Sequence, residues 1–424
     1  MKRFFYLILA LLLLGCDDKI EDIHRYSRVV SQSKEYPVYL DMSEIGNITV
    51  TASMPQESPF KIAFNDNYYF VGDMHKGIHV YEKNSGSVSY LCFIECQYIK
   101  DFDLVDNQIF CNNFLDMVVL DVSNPLQANV LHRQENHFNR FTSYKEYWNV
   151  PYLEGKGVIV GTQTHVLTGT VTDEKPDLDF TEYDQLYGNL TTKVLPDTWF
   201  SSRPEYDKPY IGILKVGTDK IYTYGSYNSW AICTFLSGAF NVIEEDLWSA
   251  PMGKYAPPYY YSNVFPVRMF FKDSIIYILS SGYSGDCILY NDDYPLSYHL
   301  YFSDFRPLDI TYVPTMQAFF VLSGQSVWGA FKNTDPTYTV IGKYIDYNIP
   351  TDATSIFLKG NSVITIGNKL SVYIPSENEL TLVKDYPDIS GTCYSKAEDI
   401  LAVANTQGLF LYDINNLENI NPIP

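Results

Sequence analysis

One hydrophobic strand recurs along this chain of 424 residues at a nearly constant interval. Clear copies span residues 77–82, 116–121 and 408–413, and each is entered from a turn residue and ends in an acid. Weaker copies end at Tyr290, Phe331 and Tyr373. Corresponding positions lie 39 residues apart from Tyr81 to Leu120, 41 from Tyr290 to Phe331, 42 from Phe331 to Tyr373, and 39 from Tyr373 to Tyr412. So regular a spacing predicts a repeat architecture rather than a sandwich, whose strands need no constant period.

Each copy follows another hydrophobic strand, and together these strands define eight units. The preceding strands are 68–72, 108–112, 157–161, 220–225, 275–280, 317–323, 362–367 and 399–404. About 40 residues accommodate four short strands and their turns, which is one blade of a β-propeller. The 37 Tyr, 25 Phe, 24 Gly and 22 Pro residues are typical of strands with many turns. We therefore predict an all-β chain forming a single β-propeller of about eight, alternatively seven, four-stranded blades.

Closure of such a ring needs a further strand. The last unit, at residues 388–416, shows three strands, and an open array would leave sheet edges exposed. Two N-terminal segments, 36–40 and 48–52, have the composition of strands. We predict that one of these N-terminal strands completes the last blade.

Two segments resemble a known family. Met117–Pro125 reads MVVLDVSNP and Leu409–Asn416 reads LFLYDINN, and both resemble the defining segment of the LVIVD-repeat proteins. These are β-propellers that include many bacterial lipoproteins. Ile78–Glu82 is a looser match, and the middle of the chain departs from the pattern. The resemblance covers roughly residues 60–125 and the C-terminus. It implies the propeller fold and a surface location, and it carries no catalytic residues.

The N-terminal segment looks like a bacterial lipoprotein signal. Lys2 and Arg3 precede an apolar run over residues 4–14, which is too short for a bilayer core that needs about 20 residues. The run leads into Gly15 and Cys16. The resemblance implies lipidation of Cys16 as the mature N-terminus, and its acyl chains would anchor the protein to the lipid bilayer. The alternative is an ordinary secretory peptide that leaves Cys16 as a free thiol.

An acidic run follows Cys16, beginning with Asp17 and Asp18. It resembles tags that export lipoproteins to the cell surface, and the alternative is a solvated tether. We expect an outer-membrane protein, with the cell-surface side favoured over the periplasmic side. The predicted organisation is a signal peptide at 1–15, an acidic tether at 16–30 and a propeller domain at 31–424.

Charge argues against nucleic acid as a partner. Removal of Lys2 and Arg3 with the signal leaves 28 Lys and Arg against 50 Asp and Glu, a formal charge of −22. Such a chain repels polyanions. The six remaining cysteines are scattered, and we interpret most as small buried hydrophobic residues. Cys92 and Cys96 would lie on one strand face about 13 Å apart, too far to bond each other.

The loops between the second and third strands of every blade, together with the connections between blades, should open on one face. That face is polar, sparsely charged and sprinkled with aromatics, which suits contact with a protein or stacking on a sugar. The alternative is that these are ordinary turn residues. The candidate face comprises His75, Phe114, Tyr227, Tyr259, Tyr260, Tyr261, Tyr283 and Gln325.

Neither a metal site nor a catalytic motif is predicted. The insertion at 172–204 is acidic but lacks the spacing of a calcium loop. His75 and His79 fall in a turn and a strand, where packed or solvated histidines are expected more often than a ligand pair. No cofactor is expected. The favoured function is a non-catalytic binding or scaffold protein that docks a protein partner, the alternatives being a surface glycan-binding lipoprotein and a propeller hydrolase or lyase.

Overall fold

The computed structural model describes most of the chain after residue 26 and shows an all-β protein. The described residues are 27–84, 86–114, 116–135, 137–138, 152–153, 157–172, 175–187, 212–216, 220–224, 230–236, 238–246, 265–272, 275–281, 284–291, 294–303, 307–323, 326–332, 341–349 and 352–424. Two compact units are present. The smaller lies within Met1–Leu40 and Pro151–Leu195, and the larger within Asp41–Val150 and Pro196–Pro424.

The smaller unit is a long β-ribbon with a short helix. Its sheet has the order β1-β12-β11. One face of the ribbon is half-buried and the other is exposed, because side chains alternate along β1 and β12. The elements are β1 (Ser27–Leu40), β11 (Tyr152–Leu153), β12 (Gly157–Thr172) and α2 (Thr181–Tyr187).

Among the described residues, the larger unit contains seven antiparallel sheets, six of four strands and one of five, each built from strands that are consecutive in the chain. A short helix, α1 (Met42–Ile45), precedes them. In the first sheet an additional strand, β2, pairs with the outer strand β6. The first sheet contains β2 (Thr49–Thr51), β3 (Pro59–Phe64), β4 (Tyr68–Asp73), β5 (Gly77–Asn84) and β6 (Ser87–Glu95). The second contains β7 (Phe102–Val105), β8 (Gln108–Asn113), β9 (Asp116–Asp121) and β10 (Asn129–Gln134).

The remaining five sheets repeat the same order. The third contains β13 (Gly212–Val216), β14 (Lys220–Tyr224), β15 (Trp230–Leu236) and β16 (Ala239–Asp246). The fourth contains β17 (Phe265–Lys272), β18 (Ile275–Ser281), β19 (Ser284–Asn291) and β20 (Tyr294–Ser303). The fifth contains β21 (Pro307–Val313), β22 (Ala318–Ser323), β23 (Val327–Lys332) and β24 (Ile341–Asp346). The sixth contains β25 (Ser355–Lys359), β26 (Ser362–Ile366), β27 (Leu370–Pro375) and β28 (Leu380–Tyr386). The seventh contains β29 (Cys393–Ala397), β30 (Ile400–Asn405), β31 (Gly408–Asp413) and β32 (Asn421–Ile423).

The repeat predicted from the sequence is confirmed at the level of strands. Its clear copies are β5, β9 and β31, each the third strand of its sheet. The strands before the copies β5 and β9 are packed on both sides, since all but the first residue of β4 and β8 are buried. Every residue of β22, which precedes the weaker copy β23, is buried, as are the four central residues of β30. Two-sided burial explains why these segments lack the apolar-polar alternation of a half-exposed strand.

Each sheet of the larger unit packs against the next, and the seventh packs against the first. Apolar clusters join the first sheet to the second, the second to the third, the fifth to the sixth and the sixth to the seventh. Strand β13 contacts β17, and β18 and β19 contact β21, which joins the third, fourth and fifth sheets. A further cluster combines Val71 and Tyr81 of the first sheet with Ala402 and Leu411 of the seventh.

Side chains reinforce the junction between the first and seventh sheets. Gln56, which is 7% exposed, donates from Nε2 to the carbonyl oxygens of Asn405 and Gly408, and its Oε1 accepts the hydroxyl of Tyr81 at 3.0 Å. The hydroxyl of Thr392 donates to the carbonyl of Pro59 at 2.7 Å. Residues more than 330 positions apart in the chain are thereby joined.

Two sequence-based predictions about this architecture are wrong. The strand predicted at 157–161 exists, but it begins β12 and pairs with β1 and β11 instead of entering a four-stranded sheet. The seventh sheet is completed by β32 of the C-terminus, not by an N-terminal strand. Segment 36–40 lies in β1, and segment 48–52 supplies β2 of the first sheet.

Candidate binding face

The turn between β4 and β5 is hydrogen bonded to the connection between the first and second sheets. The His75 amide donates to the carbonyl of Ile99 at 2.8 Å, and the Tyr98 amide donates to the carbonyl of His75 at 2.9 Å. The Cys96 amide donates to the carbonyl of Lys76 at 3.0 Å. These bonds place the turn between β4 and β5 beside the connection between the first and second sheets. We call residues 74–76, 97–101 and 113–114 the loop face.

Asn112 fixes the loop face from below. Its Oδ1 accepts the amides of Lys100 at 2.7 Å and Asp101 at 3.1 Å, and its Nδ2 donates to the carbonyls of Tyr98 at 2.9 Å and Phe114 at 3.2 Å. The side chain is completely buried. Both donors and both acceptor positions of the Asn112 carboxamide are therefore used, and the side chain ties residues 98–101 to Phe114.

Three aromatic side chains form a line across the loop face. The rings of His75 and Tyr98 are 6.0 Å apart, and those of Tyr98 and Phe114 are 5.7 Å apart in an edge-to-face arrangement. All three residues have positive φ, at 65°, 59° and 54°. Such backbone is uncommon outside glycine, and tight turns that cluster it in one place are typical of functional surfaces.

The structure corrects one candidate and adds another. Phe114, predicted as a stacking platform, is only 4% exposed, so it supports Tyr98 and offers no surface of its own. His75 is exposed. Tyr98 was not among the candidates, although the prediction that sheet-to-sheet connections share this face was the signal that could have found it. The candidates Tyr227, Tyr259, Tyr260, Tyr261, Tyr283 and Gln325 lie outside the described residues, as does Cys16.

Arg133 ties the segment after β1 to the edge of the loop face. Its guanidinium donates to Asn113 Oδ1 at 2.9 Å, to Asp116 Oδ2 at 2.7 Å and to the carbonyl of Gly46 at 2.6 Å. Asn113 donates in turn to the carbonyl of Ile45 at 3.0 Å. Because a guanidinium presents its donors in a rigid fork, this one side chain fixes two segments at once. Sequence reasoning did not identify this arrangement.

Two carboxylates, Asp101 just before β7 and Asp309 in β21, connect neighbouring sheets. Asp101 accepts Lys61 Nζ at 3.0 Å on one oxygen and the Ile213 amide at 2.8 Å on the other, joining the first three sheets. Asp309, which is 2% exposed, accepts the Ile356 amide of the sixth sheet at 2.9 Å. These acids hold backbone donors that would otherwise lack partners.

Asp73 and His79 form a buried pair beside the junction of the first and seventh sheets. Asp73 accepts the amides of Ser58 at 2.7 Å and Glu57 at 2.9 Å, and its Oδ2 lies 3.2 Å from His79 Nε2. Burial acts to raise the pKa of Asp73, but hydrogen bonds from His79 and the two amides outweigh it and lower the pKa. The prediction of a packed histidine is confirmed for His79, which is fully buried.

The described part of the acidic insertion serves the ribbon. Asp184 accepts Lys34 Nζ at 2.6 Å and the Tyr36 hydroxyl at 2.8 Å, and burial together with this carboxylate raises the pKa of Tyr36 to about 12. Asp179 accepts the Thr181 amide at 2.9 Å at the start of α2.

Across the described residues, no three His, Cys, Asp or Glu side chains are grouped to hold a metal ion. No helix in those ranges has the length and apolar character to cross a membrane.

Comparisons with known proteins give weak similarity only. No family model and no curated protein matches the chain. A chain of the "Crystal Structure of Mitotic Checkpoint Complex" is 10% identical with a TM-score of 0.47, covering 95% of this chain and 97% of that one. The computationally designed Ika8 protein is 11% identical with a TM-score of 0.46, covering 86% of each chain. A putative 6-phosphogluconolactonase from Bacteroides uniformis is 11% identical with a TM-score of 0.43, covering 82% of this chain and 91% of that one.

Proposed function

We propose that the larger unit is a closed β-propeller of seven blades. Support comes from the cyclic succession of sheet contacts and from the junction that Gln56 and Thr392 make between the first and seventh sheets. Seven was the alternative to eight in the sequence-based prediction. The difference arises because strand 157–161 belongs to the ribbon of the smaller unit.

We further propose that the protein is a lipid-anchored, non-catalytic binding or scaffold protein, held in the outer membrane by acylated Cys16. The resemblance to LVIVD-repeat lipoproteins and the signal-like N-terminus support this role. The proposed side is the cell surface. The proposed partner is another protein of the outer membrane or outside the cell, bound through the loop face.

The observation that carries this proposal is how the polar groups of the larger unit are used. Tyr98 lies on a loop whose backbone Asn112 holds in place, and His75 lies on a turn that is hydrogen bonded to the same loop, so contacting a partner costs little conformational entropy. The carboxylates of Asp73, Asp101 and Asp309, by contrast, hold neighbouring strands together. This division of roles favours recognition over acid-base chemistry.

Site-specific photo-crosslinking tests the proposal. A benzophenone amino acid at position 75, in the exposed turn after β4, is expected to capture one discrete protein in intact cells. The matched control places it at Asp66, which is exposed in the turn between β3 and β4 at the opposite ends of the strands. Tyr98→Ala is expected to reduce the adduct from position 75.

Three outcomes would contradict this function. Identical adducts from positions 75 and 66, or none from either, would mean that the loop face does not dock a protein. An adduct with polysaccharide would support the glycan-binding alternative and not a protein partner.

A further inference from the structure

Two buried thiols from neighbouring sheets contact each other. The free cysteines among the described residues are Cys92, Cys96, Cys111, Cys233 and Cys393, and all five are buried. Cys96 follows the last strand of the first sheet, whereas Cys111 lies in β8 of the second. Their Sγ atoms are 3.9 Å apart, and both side chains are fully buried. Cys96 Sγ also donates to the carbonyl of Asn112 at 3.5 Å.

The backbone on both sides of this pair is already fixed. The Cys96 amide donates to the carbonyl of Lys76 at 3.0 Å, and its carbonyl accepts the Ile99 amide at 3.3 Å. Cys111 is paired with Phe102 on one side and Val118 on the other. A disulfide has its sulfurs about 2.05 Å apart, so the two sulfurs must approach by about 1.9 Å. Side-chain rotation is the movement available to them in this fixed backbone.

We propose that Cys96 and Cys111 form a structural disulfide that joins the first and second sheets. A small-molecule or protein disulfide serves as the oxidant. The thiolate of one cysteine attacks the oxidant, forms a mixed disulfide and releases one external thiolate. The thiolate of the other cysteine then attacks the protein sulfur of the mixed disulfide and releases the second external thiolate. Two electrons thus pass from the protein sulfurs to the oxidant, and the two thiol protons go to solvent or to the released thiolates.

The burial of both thiols indicates when this bond forms. The hydrogen bond with Cys96 and burial raise the pKa of Cys111 well above that of a free thiol, which makes its thiolate scarce in the folded protein. We therefore place the reaction during folding, before the first two sheets close over the pair. The oxidising compartment that favours it is the one implied by the proposed export. Refolding in a defined redox buffer tests the bond separately from that localisation.

The test refolds the reduced full-length chain in a mixture of oxidised and reduced glutathione, then blocks remaining thiols with N-ethylmaleimide under denaturing conditions. Cleavage after Glu95 and Lys100 releases the pentapeptide Cys96–Lys100, which is separate from the peptide that carries Cys111. The expected product is these two peptides joined, about 2 Da lighter than the sum of their thiol forms. Reduction should separate them and make both cysteines reactive.

Matched variants show whether the pairing is specific and whether it stabilises the fold. In Cys92→Ser the joined peptides and a drop in Tm on reduction are expected to persist. In the Cys96→Ser variant, the thiol of Cys111 should react with maleimide without prior reduction. The Tm of this variant should no longer respond to the reductant. Full alkylation of both thiols in the refolded wild-type chain, or attachment of Cys111 to another cysteine, overturns the proposal.

Discussion

Replacing Gln56 by alanine should destabilise the junction between the first and seventh sheets. The side chain is 7% exposed and makes hydrogen bonds to the carbonyls of Asn405 and Gly408 and to the hydroxyl of Tyr81. Each buried polar group that loses its partner costs about 1–3 kcal/mol. Since the site is near the surface, water can replace part of the loss, so we expect about 2–4 kcal/mol in total.

Thermal and chemical unfolding of Gln56→Ala measure this loss. At roughly 2 cal/mol/K per residue, a cost of that size lowers the Tm of a chain of this length by about 2–5 °C. The control is Gln127→Ala at an exposed position, where a change within about 0.5 kcal/mol is expected.

Hydrogen exchange distinguishes a broken junction from general destabilisation. Faster exchange is expected in β3–β5 and β29–β31 together, although they lie at opposite ends of the sequence, with less change in the sheets between them. If Gln56→Ala matched the control in stability and in exchange, the contact between the first and last sheets would be refuted, and with it the closed ring.

Three further predictions concern single residues. Asp73→Asn replaces a carboxylate that accepts two amides, so we expect it to lower the free energy of unfolding by about 2–4 kcal/mol at pH 7. Because the folded-state pKa of Asp73 is lowered, its stabilisation is present above the unfolded pKa of about 4 and is lost as the pH falls through the folded value. Urea unfolding should therefore show the difference in free energy of unfolding between wild type and Asp73→Asn shrinking over that pH range, and a difference that stays constant would contradict this. Gly77→Ala should cost more stability in the same assay than Gly86→Ala, because a Cβ at Gly77 would lie 2.2 Å from the carbonyl oxygen of Ile94 and one at Gly86 has nothing within 4 Å; both have positive φ, so equal losses would mean that crowding is unimportant. Cys16→Ser should move the protein from the membrane fraction to the soluble fraction in cell fractionation, and retention in the membrane would reject the acyl anchor.

Local strand pattern was enough to predict the second and third strands of the clearest repeats. Strands β5, β9 and β31 each carry an apolar run between a turn residue and an acid, and the same run forms the same third strand wherever it occurs. Segment 157–161 carries a similar apolar run, yet it forms the start of β12, which pairs with β1 along almost the whole length of both strands. A local pattern indicates that a strand forms, but the choice of partner depends on distant residues.

The candidate site was predictable by location and not by exposure. His75 lies in the turn between β4 and β5, where the turn sequence predicts it, and it is exposed. Phe114 occupies the equivalent turn of the second sheet, but its ring packs under Tyr98, and only the three-dimensional arrangement shows which of the two rings reaches solvent. Asn112 acts through hydrogen bonds to the backbone of neighbouring loops, and Arg133 reaches the distant carbonyl of Gly46; composition and spacing give no signal for either contact.

The completion of the seventh sheet by β32 has a consequence for assembly. Every four-stranded sheet is made from one contiguous stretch of chain, so each can form as soon as that stretch is available. The contact between the first and seventh sheets has to wait until the strands of both have been synthesised, and the described strands of these two sheets share no backbone ladder. An incompletely folded molecule would therefore open at this contact. At high concentration two such molecules would exchange terminal sheets and form domain-swapped dimers.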